Sequence, residues 1–218
     1  MPELFGHPFS SYTWKALIAL YENDTPFTFQ MIDPDHQENV QRILTLSPQG
    51  KFPVLIDGER EICESSMIIE YLQHYYPGQV ALLPPDKEQA ITVRMFDRFF
   101  DNYVMTPTQH IVNDFMRIPS YRDTLTVNSA KAMLQQTYGW LNKHLQNTQY
   151  ACGDSFTLAD CAAAPSLFYA DWVHEIGQEH THLRRYRTRL LARPSVERCV
   201  DEARPYRSLF PPGAPNRD

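Results

Sequence analysis

Ser47-Pro48-Gln49-Gly50-Lys51-Phe52-Pro53-Val54-Leu55-Ile56, with Glu64-Ser65 close behind, is the stretch whose reading decides the fold. Pro53 opens the apolar run Val54-Leu55-Ile56, which ends at the turn pair Asp57-Gly58. A proline lacks an N–H and locks its own φ, so it belongs at the start or edge of a strand. If the Phe52–Pro53 bond is cis, the chain turns sharply and the main-chain N–H and C=O of Phe52 can face outward, where an extended peptide could pair with them strand-fashion. Glu64-Ser65 precedes the apolar-periodic run Ser66–Leu72, which makes Ser65 a helix start. The free amides and positive end of such a helix suit a carboxylate. One segment thus offers main-chain pairing and its neighbour an anion hole.

Working outward, the first third reads as β-α-β-α-β-β-α. Glu3-Leu4-Phe5 is a short strand, and Ser10 or Ser11 starts a helix whose apolar stripe runs through Trp14, Leu17, Ile18, Leu20 and Tyr21. Asp24-Thr25-Pro26 breaks it, Phe27–Ile32 forms a second strand, and a short helix is expected near Val40–Leu46. Pro77-Gly78 stops the helix from Ser65, and Pro84-Pro85 marks a linker. The remainder reads as helices: Lys87–Met105, kinked or ended by Pro107; Ser129–Leu145; a nearly all-apolar helix through Cys161–Trp172; and two shorter ones near His182–Leu191 and Ser195–Ala203. Thr157-Leu158-Ala159-Asp160 is a capping-box-like start, with Phe156 placed to staple against Cys161 and Pro165 close to the first turn. Asp160 therefore reads as a capping residue, not a catalyst. The tail from Pro205 is expected to lie irregularly on the surface.

Composition narrows the function classes. Of 218 residues, 43% are hydrophobic and 21% charged, as in ordinary folded proteins, and the net charge of −6 argues against broad nucleic-acid binding. No apolar run is long enough to span a membrane, and the start has no secretory pattern. Cys63, Cys152, Cys161 and Cys199 and the eight histidines show no metal-type spacing, so no metal is expected and the thiols point to a reducing cytoplasm.

The order of these pieces resembles the cytosolic glutathione S-transferase family, of the serine type found in its bacterial, phi, theta and zeta branches. The resemblance rests on His7-Pro8-Phe9-Ser10-Ser11, Ser47 through Leu55, Glu64-Ser65, Gly153 with Thr157-Leu158-Ala159-Asp160, and Arg193-Pro194-Ser195-Val196, which together span almost the whole chain. It implies an α/β thioredoxin-like N-terminal domain over 1–78, a linker over 79–86 and an all-α helical C-terminal domain over 87–218. It also implies a cytoplasmic homodimer that takes glutathione as co-substrate and no metal, in a detoxification role.

The residue roles follow from the same resemblance. Ser10 aligns with the serine that activates the glutathione thiol, Ser11 is the runner-up, and Tyr12 stands in a local pattern unlike that of the tyrosine classes. A helix cap favours serine in any case, so the catalytic and capping readings share one geometry. Phe52 and Pro53 are expected to hold the cysteinyl part of glutathione, and Glu64 and Ser65 its γ-glutamyl end. Lys51, with Gln49 and His36, is the candidate for the glycyl carboxylate, and Phe9 stands beside the site. Phe9, Tyr103, Thr106, Phe115, Tyr169 and Trp172 are expected to line a pocket for a hydrophobic electrophile. The reaction implied is thiol transfer to that electrophile, with peroxide reduction as a companion activity. The alternatives are a non-catalytic interaction module and a glutathione-dependent isomerase or dehalogenase. The zeta branch carries a cysteine where Tyr12 stands, which speaks against isomerisation of the maleylacetoacetate kind.

Overall fold

The computed structural model describes residues 1–218. Its first part comprises β1 (Glu3–Gly6), α1 (Ser11–Glu22), β2 (Thr28–Met31), α2 (Gln37–Leu46), β3 (Val54–Asp57), β4 (Arg60–Cys63) and α3 (Ser65–Tyr75). The sheet order is β2-β1-β3-β4, with β1 parallel to β2 and antiparallel to β3. Side chains alternate across a strand, and here the alternation separates two layers. Leu4 and Leu55, paired across β1 and β3, join α1 and α3 in the main core. Phe5 and Val54, the next pair, point the other way and bury Ile43 of α2. At the end of β1 the helix comes so close that a Cβ on Gly6 would lie 2.6 Å from the Thr13 side chain, so glycine is required there.

The second part is helical: α4 (Lys87–Phe99), a π-helical stretch (Phe100–Met105), α5 (Thr106–Met116), α6 (Thr124–His144), α7 (Leu158–Val173), α8 (Thr181–Leu191) and α9 (Pro194–Ala203). Helix α7 is buried on every side from Leu158 to Trp172, and α1 is buried continuously from Thr13 to Leu20 because it packs between α3 on one flank and α7 and α9 on the other. A nearly all-apolar helix has to be central, since it has no face to give to water.

Several sequence expectations need correction. The helix does not end at Pro107: the π-helical stretch precedes it, the Thr106 amide bonds the Asp101 carbonyl five residues back, and an unexpected helix, α5, runs on with Pro107 in its first turn. A wider turn ahead of the ring accommodates a residue that has no N–H to give. Helix α6 begins five residues before Ser129, because Asp123 caps it by accepting from the Leu125 amide. Pro165 lies inside α7 beyond the first turn. Glu64, at φ 68°, is the residue before α3, so Ser65 is the first helical residue instead of the cap. The tail is ordered against the core. It forms a 3₁₀ turn (Arg204–Leu209), buries Phe210, and pairs Asp218 with Arg204 and Arg207 at 2.7 and 2.5 Å.

Two polar ties, at Glu22 and Lys15, bind the two parts, and a third, at Asp160, holds the helical part together. Glu22 at the end of α1 accepts two bonds from Arg193, at 2.6 and 2.5 Å, and one from Ser195 at the start of α9. Asp160 caps α7 by accepting from the Thr157 amide at 2.9 Å and its hydroxyl at 3.1 Å, while its other oxygen takes the Ala151 amide at 2.9 Å and the Tyr186 hydroxyl at 2.6 Å. Lys15 of α1 is 1% exposed; its ammonium lies 2.8 Å from Asp97 and 2.8 Å from Asp101 and donates to Ser66 of α3 at 3.0 Å.

Two stability outcomes follow. Asp160→Ala leaves four buried donors without their acceptor and is expected to cost about 3 kcal/mol or more in urea unfolding. Lys15→Met strands Asp101 and leaves Asp97 with Arg98 and Ser66 alone, and is expected to cost about 3–5 kcal/mol. Adding Asp97→Asn and Asp101→Asn to Lys15→Met should recover most of that loss; a combined variant no more stable than Lys15→Met would show that charge pairing is not the reason.

Candidate functional site

One cavity of about 450 Å³ lies between the two parts. Its floor is built by three short segments whose positions the sheet dictates. The loop after β1 brings Ser10 to the N-terminus of α1, with Tyr12 one residue into the helix. The segment before β3 contributes Ser47, Gly50, Lys51, Phe52 and Pro53, and the end of β4 contributes Cys63, Glu64 and Ser65. The helical part adds Arg98, Asp101, Asn102 and Gln109.

Ser10 caps α1. Its hydroxyl oxygen accepts from the Thr13 amide at 3.3 Å, which leaves its own O–H free to donate toward the cavity. Ser11, the first residue of α1, does not line the cavity. Tyr12 does; burial, followed by the nearby Asp101 and Glu64 carboxylates, pushes its phenol up to about 12, so it stays protonated at neutral pH.

The Phe52–Pro53 peptide is cis. Sheet pairing on this segment begins at Val54, opposite Phe5 and Cys63, so the main chain of Phe52 stays outside the ladder. Gly50, at φ 62°, and Ser47 shape the approach: the Ser47 carbonyl accepts the Gly50 amide and its hydroxyl the Lys51 amide, at 2.9 and 3.0 Å. No side chain caps α3, so its first amides remain available to an anion beside Ser65. Glu64 occupies a left-handed backbone position rarely tolerated by a side chain, at the point where its carboxylate borders the cavity. Cys63 also borders it; burial pushes this thiol up, and it donates weakly to the Leu46 carbonyl at 3.6 Å.

The other expected residues lie elsewhere. His36 is exposed and paired with Asp33 at 2.7 Å, because the two sit together in the loop entering α2. Gln49 is exposed on the outer side of its loop. Phe9 turns away from the cavity into an aromatic cluster with Tyr169, Trp172 and Phe210, at centroid distances of 5.5, 6.2 and 6.4 Å. The tail thus fills the space where Phe9, Tyr169 and Trp172 were expected to form an open pocket. Tyr103 is 52% exposed, Phe115 lies under the Arg122 guanidinium, and the Thr106 hydroxyl donates back to the Asp101 carbonyl. None of the six expected residues lines the cavity.

In their place stand Arg98, Asp101, Asn102 and Gln109, which sequence reasoning missed. Arg98 and Asn102 share a helical face at i, i+4, but a polar face opposite an apolar stripe is also what solvent exposure produces. Asp101 connects the cavity to the Lys15 cluster. One of its oxygens holds Lys15, the other is buried without a hydrogen-bond partner, and burial pushes its carboxyl up against the pull of the ammonium. Arg98 pairs with Asp97 at 3.0 Å, so two cations and two carboxylates form the wall beneath the site.

A cap hydroxyl, main chain at a strand start outside the ladder and an uncapped helix N-terminus all border one cavity. Known proteins resemble this chain over most of its length. The family model described as "Glutathione S-transferase, N-terminal domain" matches residues 4–80, and "Glutathione S-transferase, C-terminal domain" matches 101–194, together more than three quarters of the chain. Glutathione S-transferase F6 of Arabidopsis thaliana is 26% identical over 91% of this chain and 98% of its own length. A glutathione S-transferase of Silene vulgaris is 29% identical over 91% and 96%. Among solved structures, a glutathione S-transferase of Methylobacterium radiotolerans in complex with glutathione sulfonate superposes with a TM-score of 0.78 at 26% identity, covering 91% of this chain and 94% of that one. Another from Methylobacillus flagellatus, with glutathione bound, has a TM-score of 0.82 at 22% identity over 91% and 98%, a likeness of fold. With both of its halves matched in order and the fold reproduced, the chain belongs to the cytosolic glutathione S-transferase family.

Proposed function

We propose that the cavity binds glutathione, that Ser10 activates its thiol, and that the bound thiolate attacks an electrophile entering past the helical wall. The observation that carries this reading is the convergence of Ser10, Phe52-Pro53 and Glu64-Ser65 on one cavity. Phe52 offers its main chain to the cysteinyl residue, Ser65 and the amides of α3 receive the γ-glutamyl carboxylate, and Glu64 meets the ammonium. Lys51 is the group available for the glycyl carboxylate.

A free thiol titrates near about 8.5, so little thiolate exists at neutral pH. A hydroxyl donating to sulfur at the positive end of α1 favours the anion, and the thiol proton passes to solvent. The thiolate then forms a sulfur–carbon bond to the electrophile. A leaving group departs with its electron pair or, for an activated double bond, the adjacent carbon is protonated. This serine-type assignment sets Ser10 ahead of Ser11, which is off the cavity, and ahead of Tyr12, which borders it as a neutral phenol. An apolar acceptor would rest on the Tyr12 and Phe52 rings, since the helical part contributes only polar groups. Peroxide reduction would use the same thiolate.

The domain division at 1–78, 79–86 and 87–218 belongs to this proposal and is supported by the end of α3 at Tyr75 and the start of α4 at Lys87. So does a homodimer, which would cover Met67 and Tyr75 of α3 and Ile91 and Met95 of α4, 43–65% exposed in the single chain. A reducing cytoplasm suits four unpaired cysteines.

Titration calorimetry with glutathione, followed by the ultraviolet thiolate band of the complex across pH, tests the reading. Binding with a sulfur pKa well below about 8.5 is expected; no binding would point instead to an interaction module. Ser10→Ala should fold, losing about 1 kcal/mol with the cap, bind glutathione nearly as before, and show a raised sulfur pKa and lowered kcat. Full activity in Ser10→Ala, with loss in Tyr12→Phe, would move the role to Tyr12. Glu64→Gly should be as stable as the parent or more stable by about 1 kcal/mol, since glycine accepts the backbone conformation without strain. Its Kd for glutathione should nevertheless rise at least about tenfold with loss of the carboxylate. Unchanged affinity would remove Glu64 from the site.

A further inference from the structure

The segment His7–Phe9, which delivers Ser10 to the cavity, is held at each of its three carbonyls. The His7 carbonyl accepts the Ser10 amide at 2.9 Å, closing the turn. The Pro8 carbonyl accepts the Trp14 indole N–H at 2.5 Å, from within α1. The Phe9 carbonyl, on the peptide unit that Ser10 itself completes, accepts the Tyr169 hydroxyl of α7 at 2.8 Å, across 160 positions of sequence. The first two restraints are local. The third is the only one of the three that comes from the helical part.

Its surroundings keep it dry and stiff. Tyr169 is 5% exposed, its ring meets Phe9 edge-on at 5.5 Å, and Phe210 of the tail lies across it at 6.1 Å. Phe210 in turn meets Trp172 at 5.0 Å, and Arg207 covers the Trp172 ring at 4.8 Å. A buried phenol has to find an acceptor, and the one it has found is the carbonyl next to the proposed thiol-activating serine. Displacing a reacting group by about 1 Å can cost about 100-fold in rate, so a tether at this point acts on chemistry and not only on stability.

We infer that Tyr169, held in place by Phe210 of the C-terminal tail, is a positioning residue that sets where the Ser10 hydroxyl stands relative to the glutathione sulfur. The inference rests on the assignment of Ser10. It gives the helical part, and the tail behind it, a role in activating the thiol that is separate from binding the acceptor.

The test is Tyr169→Phe, which keeps the ring stack and removes one hydrogen bond, compared with Tyr186→Phe, which removes a buried tyrosine hydroxyl bonded to Asp160, outside the cavity lining. The sulfur pKa of bound glutathione, kcat, KM for glutathione and Tm are measured for both, with Ser10→Ala alongside. Tyr169→Phe is expected to raise the sulfur pKa by about half a unit or more and lower kcat at least about threefold, with KM for glutathione unchanged. Tyr186→Phe should lower Tm and leave the sulfur pKa where it is. Phe210→Ala, with the tyrosine hydroxyl intact but its ring uncovered, should shift the sulfur pKa in the same direction by less. If Ser10→Ala moves the pKa and Tyr169→Phe does not, or if Tyr169→Phe and Tyr186→Phe move it equally, the tether is overturned while the serine assignment stands. If Ser10→Ala leaves the pKa unmoved, the serine assignment fails, and the proposed route through it fails as well.

Discussion

Lys15 lies buried one turn below the cavity end of α1, out of reach of water. A buried ammonium is affordable only when opposite charges surround it closely. Asp97 and Asp101 do so, Arg98 pairs with Asp97, and Ser66 completes the shell from α3. The consequence reaches beyond the pair energy. The cluster fixes α1, α3 and the junction of α4 with the π-helical stretch in one mutual arrangement, and these are the elements that place Ser10, Ser65 and Arg98 around the cavity. Moving any of them would separate charges in a medium that screens poorly.

The remaining ties serve the same geometry from the outside. Glu22 gripped by Arg193 and Ser195 secures the far end of α1 to α9, and the fully bonded Asp160 holds the start of α7 to the loop at Ala151 and to α8. Between these polar anchors the contact of α1 with α7 is apolar: Trp14 meets Phe168 and Tyr169 at 5.0 and 5.6 Å. Apolar burial supplies the driving force, and the directional bonds select one register out of the many that such a surface would allow.

Much of the cavity's lining was legible because local signals mark the segments that form it. A proline before an apolar run marks an exposed strand start wherever it occurs, and Glu64-Ser65 ahead of an amphipathic run marks a helix N-terminus. Those features depend on neighbours within a few residues. His36 and Gln49 were misplaced because charge and loop position alone do not say which way a side chain turns; His36 found Asp33 three residues away. The aromatic residues Phe9, Tyr169 and Trp172 read correctly as apolar and as neighbours, yet nothing local revealed that Phe210, some forty residues further on, would close over them. A proline-rich tail resembles a loose one until it is seen to have a buried ring and a salt-bridged end.

By itself the sequence determined the order of elements in the first part and, α5 apart, of the helices in the second, the central position of α7, the capping function of Asp160 and the polar segments that border the cavity, since each follows from periodicity or from contacts a few residues apart. The tertiary structure alone decided that Lys15 is buried, that Arg98, Asn102 and Gln109 form the second wall, that the tail seals the aromatic cluster, and that Tyr169 reaches the carbonyl beside Ser10. The reason is one of range. A lysine, a polar helix face or a buried phenol reads identically in sequence whether it meets water or a partner on a distant segment, and only packing of the two parts against each other determines which.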